Sequence, residues 1–132
     1  MTESLDLTAG IVVAVALAGG LGAAARFVLD GLLRARTTHV LPVATMVVNV
    51  SGSFVIGLLS GAALWHGLGP GWLVVTATGF CGGYTTFSTA MVETVRLVRS
   101  DEWGWAVLNA GGTLLLCVVA ASAGVGLMWV TG

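Results

Sequence analysis

The stretch Gly79-Phe80-Cys81-Gly82-Gly83-Tyr84-Thr85-Thr86-Phe87-Ser88-Thr89 decides how this chain folds. It lies in a run from Thr37 to Val92 that holds no formally charged residue, so it belongs in nonpolar surroundings. Two adjacent glycines followed by β-branched hydroxyl residues are nevertheless poor material for a continuous helix. Unwound backbone at membrane depth is tolerated only where protein buries it or a wet cavity adjoins it. The stretch therefore predicts a broken helix, one half near 72–80 and the other near 86–98.

Working outward, the chain's 132 residues are 57% hydrophobic and only 8% charged. An ordinary soluble domain is about a quarter charged, and a soluble core this small would leave large apolar patches in water. The bilayer is the expected solvent. A spanning helix takes roughly 20 residues, and the sequence divides into spans near 8–33, 42–65, 72–98 and 103–130. Gly67-Leu68-Gly69-Pro70-Gly71 separates the second from the third, and Pro42 suits the first turn of the second. Trp65, Trp72, Trp103 and Trp129 fall at span ends, as an interfacial aromatic belt requires. The expectation is an all-α membrane protein, one four-helix transmembrane domain over residues 1–132.

Met1 to Thr8 carries Glu3 and Asp6 but no Lys or Arg, so it lacks the positive flank of a cleavable signal, and the first span is expected to stay. The net charge of −1 says nothing about partners, but there is no basic stretch that would read as nucleic-acid binding, so no nucleic-acid partner is expected. Cys81 and Cys117 fall in spans and read as small buried apolar residues. No nucleophile–base pair or Cys/His metal spacing is visible, and His39 and His66 sit in or beside loops, so an enzyme is not expected.

Polar residues recur at helical spacing. Asn49, Ser53, Gly57 and Gly61 follow at four-residue steps, joining two polar side chains to a small-residue packing surface. Asn49 needs a partner in hydrocarbon and could be interhelical glue or a donor toward a pore. Trp105, Asn109 and Thr113 repeat the spacing in the fourth span. Arg26 and Glu93 are the charges nearest to span interiors, where ionisable groups are functional by default. Two polar stripes and a broken helix exceed what packing needs and suggest a polar path. Four short helices enclose little volume, so the working unit is expected to be an oligomer.

These residues resemble the CrcB/Fluc family of fluoride channels. The matching motifs, in order, are Gly19 to Arg26, Asn49 to Gly57, and Gly79 to Thr89. The resemblance covers essentially the whole chain, and the third motif is long and unusual. It implies an antiparallel dimer of four-helix subunits, two narrow anion pores, and passive fluoride export across a prokaryotic plasma or inner membrane. It also implies a structural Na⁺ at the dimer centre on the backbone carbonyls of Gly82 and Thr85, consistent with hard cations taking oxygen ligands. Fluoride holds its water tightly and must exchange it for weak donors in turn. The candidate donors are Asn49, Thr86, Ser88, Thr89, Asn109 and Thr113. Phe87, which spacing alone would place in a core, becomes through the resemblance a ring whose positive edge faces the anion. Arg26 and Glu93 become candidates for a charged vestibule.

One departure matters. The family motif usually continues Thr-Thr-Phe-Ser-Thr-Phe, whereas this chain has Ala90 at the last position. Arg34 and Arg36 in the first loop, with Arg96 and Arg99 in the third, also give a fixed orientation with those loops cytoplasmic. Together they suggest pairing with an inverted CrcB-like paralogue as an alternative to pairing with itself. Two other readings compete. A small four-span multidrug exporter relies on a glutamate in mid-first-helix, and here only Asp30 lies in that span, near its end. A non-conducting structural or regulatory subunit would need neither Asn49 nor the break.

Overall fold

The computed structural model describes residues 8–132, so Glu3 and Asp6 lie outside the described residues. All regular structure among these is helical. We number five helices: α1 (Ala9–Arg34), α2 (Val43–Trp65), α3 (70–84), α4 (Phe87–Arg99) and α5 (Trp103–Thr131). Three of them, α1, α2 and α5, are long and apolar enough to cross a membrane, and their bounds fall within one or two residues of the expected spans. α3 starts at Pro70, two residues before the expected Trp72, because proline is at home in a first turn where its missing N–H costs nothing.

The interruption differs from expectation. Gly82, Gly83 and Tyr84 are still helical, and the extended residues are Thr85 (φ −80°, ψ 159°) and Thr86 (φ −148°, ψ 117°). Neither glycine unwinds the helix, and Gly83 lets it approach α1. A side chain on Gly83 would collide with the Gly19 carbonyl of α1, and one on Gly22 with the Phe80 carbonyl of α3. Close contact of this kind supplies packing where hydrocarbon offers no hydrophobic drive. α2 and α5 meet the same way, Gly57 lying against Ala121 and Gly61 against Met128, as the small-residue stripe predicted. Two stretches, Val74–Cys81 of α3 and Leu108–Gly112 of α5, wind as π-helix, a geometry often found beside functional sites.

The bundle buries polar side chains among small and apolar ones and turns large apolar side chains outward. Its buried residues include Thr45, Asn49, Glu93, Asn109 and Thr113 alongside Val48, Cys81 and small alanines. Leu17, Leu21, Phe27, Leu114 and Val130 are each about two-thirds or more exposed. Trp72, Trp103 and Trp129 are also exposed, at helix ends. Apolar surface of this extent belongs in lipid or against another chain. The protein is an integral membrane protein.

Candidate functional site

The site is built where α2 meets the gap between α3 and α4. An unbroken helix would send the Thr86 N–H to the Gly82 carbonyl, four residues back. Here it donates to Asn49 Oδ1 at 2.7 Å, and Asn49 Nδ2 donates to the Thr86 carbonyl at 2.9 Å. The carboxamide thus pairs with Thr86 on both sides, as a neighbouring strand would. Asn49 is buried, so it meets its own need for partners in doing so. The following helix is capped from the same residue: Thr86 Oγ1 accepts from the Thr89 N–H at 3.2 Å and donates to Thr89 Oγ1 at 3.0 Å. On the other side, Thr85 turns its hydroxyl back to the Cys81 carbonyl at 2.8 Å. Gly52 lies directly under Thr85, leaving no room for a side chain of its own. The Tyr84 hydroxyl, 2.9 Å from Ser51 Oγ, ties the end of α3 to α2.

Cavities open on both faces of this clasp. The larger, about 560 Å³, is lined by Asn49, Ser53, Thr86, Phe87, Asn109 and Thr113 among others. The smaller, about 280 Å³, is lined by Arg26, Asp30, Thr86 and Thr89. The fold therefore brings five of the seven expected path residues to one cavity, and Thr86 and Thr89 to its neighbour. Ser88 is exposed and lines neither. Phe87 is 78% exposed at the rim of the large cavity. Ala90 is buried and forms part of that cavity's wall, so its methyl leaves open the volume that a larger side chain would take.

The two asparagines are used differently. Asn109 donates both N–H groups within the protein, to the Ala90 carbonyl at 3.2 Å and to Thr94 Oγ1 at 2.8 Å. Its Oδ1 is buried without a partner, as is Thr113 Oγ1 one turn further on. Asn49 uses one N–H on Thr86 and retains the second at the large cavity.

Of the charges, Arg26 lines the small cavity and forms no ion pair among the described residues. Glu93 is buried and held by Arg34, whose Nη2 lies 2.6 Å from Glu93 Oε1, while Thr45 donates to the same oxygen at 3.0 Å. Arg34 also reaches Asp30 at 2.7 Å. Sequence reasoning used Arg34 only as a loop charge and overlooked Asp30 and Thr45. The available signals were the four-residue steps from Arg26 through Asp30 to Arg34, and the need of a lone interior glutamate for a cation.

Gly82 is exposed, with open space where a side chain would be, and has lost its helical donor to Asn49. The Thr85 carbonyl accepts no hydrogen bond among the described residues. Two carbonyl oxygens without donors, close in sequence, are a donor set that suits a hard cation. His, Cys, Asp and Glu form no metal-binding group among the described residues.

Known proteins resemble this chain over most of its length. A curated relative from Leifsonia xyli, named fluoride-specific ion channel FluC 1, is 49% identical over 126 residues, covering 96% of this chain and 90% of the relative. Another from Cutibacterium acnes, fluoride-specific ion channel FluC 2, is 45% identical over 86% of this chain and 93% of the relative. A third, fluoride-specific ion channel FluC 2 of Mycobacterium tuberculosis, is 37% identical over 94% of this chain and 95% of the relative. The family described as CrcB-like protein, Camphor Resistance (CrcB), matches residues 13–125, from the middle of α1 almost to the end of α5 and across the whole clasp, and this chain belongs to it.

Proposed function

We propose that this chain is a subunit of a fluoride-specific ion channel that lets cytoplasmic fluoride leave the cell passively. The observation that carries the reading is the clasped gap at Thr85–Thr86, flanked by two largely apolar cavities into which a few polar groups are set, Asn49, Thr86 and Thr113 in the larger and Arg26, Asp30 and Thr89 in the smaller. Every curated relative named above is a fluoride-specific channel. Residues 1–132 act as one transmembrane domain, in which α3 and α4 together make the third crossing, broken at mid-membrane. Fluoride moves past Asn49, Thr86, Ser88, Thr89 and Thr113, and Phe87 offers its ring edge. Asn109 orders the wall through the Ala90 carbonyl. Arg26 and Glu93 set the charge of the vestibule.

The working unit is an antiparallel dimer in a prokaryotic plasma or inner membrane, with the first and third loops cytoplasmic. The exposure of Phe87 in the single chain supports a partner at that face. The carbonyls of Gly82 and Thr85 would hold a structural Na⁺, which supplies fixed positive charge where helix ends meet. A dimer with an inverted paralogue is the second reading, supported by Ala90 and the open volume beside it.

The test is fluoride efflux from vesicles that contain the purified chain, with chloride efflux as control. Selective fluoride efflux from the chain alone supports the self-paired channel. Efflux that appears only when the inverted paralogue is added supports the mixed dimer. Silence in both cases rejects the channel.

A further inference from the structure

An ionic bridge separates two cavities at one end of the bundle. The outer cavity, about 360 Å³, is lined by Arg34, His39, Glu93, Arg96 and Glu102 among others. The inner one is the small cavity of Arg26, Asp30, Thr86 and Thr89. Arg34 joins them: its Nε binds Asp30, which fronts the inner cavity, and its Nη2 binds Glu93, which fronts the outer. The bridge is therefore the partition between the loops and the polar residues of the clasp. It ties α1 to α4 across 59 residues of sequence, and Thr45 of α2 completes it.

Charge balance around the partition depends on Arg34. Arg26, Arg34 and Arg96 face Asp30, Glu93 and Glu102, so the arginines and carboxylates lining the two cavities match in number, with His39 beside them. Glu93 is the costly member. It is buried, one of its oxygens has no partner, and it sits one helical turn beyond Thr89. A buried carboxylate left uncompensated there would repel an arriving anion through a poorly screened medium.

We propose that Arg34 is a positioning residue for anion passage: it holds the Glu93 carboxylate against Thr45 and cancels its charge, so that an anion can reach Thr89 and Thr86 from the loops. This role rests on the channel reading and adds a determinant of apparent fluoride affinity to it.

The experiment measures fluoride flux against fluoride concentration in vesicles, using whichever assembly conducts, the chain alone or with the inverted paralogue. Arg34→Gln should raise the half-saturating concentration about three- to tenfold, with maximal flux per folded protein largely kept. Glu93→Gln should shift it the opposite way, downward. The double variant R34Q/E93Q should return to within about twofold of the unaltered protein, and Arg34→Lys should fall between R34Q and the unaltered protein. A bridge that only staples helices would instead lower maximal flux in R34Q and in the double variant alike, with half-saturation unmoved; that result overturns the proposal. Should R34Q fail to fold, Glu93→Gln and Arg34→Lys decide it, and an unshifted half-saturation in both overturns it. Unaltered protein that passes no fluoride in either assembly rejects the channel and this role together. Flux that R34Q and E93Q leave unshifted rejects this role alone.

Discussion

Asn49 and Asn109 are both buried amides facing one cavity, yet they do opposite things with their hydrogen bonds. Asn49 spends its oxygen and one N–H on the backbone of Thr86, whose own N–H no helix satisfies. Asn109 spends both N–H groups on atoms that have other partners, since the Ala90 carbonyl also receives the Thr94 hydroxyl at 2.8 Å. Removal of Asn49 thus strands the Thr86 N–H, which no helical carbonyl accepts, while removal of Asn109 strands none and erases an orphan oxygen. The same residue type is a keystone in one place and a filler in the other.

Asn49→Ala puts the largest strain on this contrast. Loss of both bonds to Thr86 should cost about 2–4 kcal/mol, read as a lowered melting temperature in detergent. Fluoride flux per folded protein should fall at least about tenfold, because the gap loses its shape and the cavity loses a donor. Gly52→Ala attacks the same clasp from beneath. Its methyl would press on Thr85, at a cost of about 1–3 kcal/mol for overpacking, and the melting temperature should again drop.

Thr113→Val sharpens the contrast from the other side. It removes a buried hydroxyl that has no protein partner, so stability should hold or rise by up to about 1 kcal/mol. Flux should nevertheless fall about two- to fivefold, as one donor leaves the path. Asn109→Ala should have the smallest effect, about 1 kcal/mol in stability and less than about twofold in flux. An Asn109 variant as damaged as the Asn49 variant would dissolve the distinction.

Much of this was legible in the sequence, for identifiable reasons. The apolar runs and their tryptophan ends fixed α1, α2 and α5 to within one or two residues, because membrane thickness dictates length. The spacing of Gly57 and Gly61 marked a helix-packing face, and the structure shows α5 to be what packs there. The expected gap between residues 80 and 86 included Thr85 but began too early, since local propensity pointed at Gly82 and Gly83. The gap falls instead at Thr85–Thr86, because Asn49, 37 residues away, offers Thr86 a better partner than the helix can. Glycine there reports closeness to Gly19 of α1, which propensity alone does not reveal. The Arg34–Glu93 bridge was missed for a similar reason: it is a long-range pairing that only the packing of α1 against α4 creates. The π-helical stretch at Leu108–Gly112 left no signal in composition at all.

The most direct test compares the unaltered chain with Asn49→Ala in parallel vesicles, reading fluoride efflux by electrode with chloride as control, in the assembly that conducts. The account predicts fast, fluoride-selective efflux from the unaltered chain and a collapse of that efflux in the variant at equal amounts of folded protein. Equal fluoride efflux from both would contradict it, since the clasp at Thr86 would then have no part in carrying the ion.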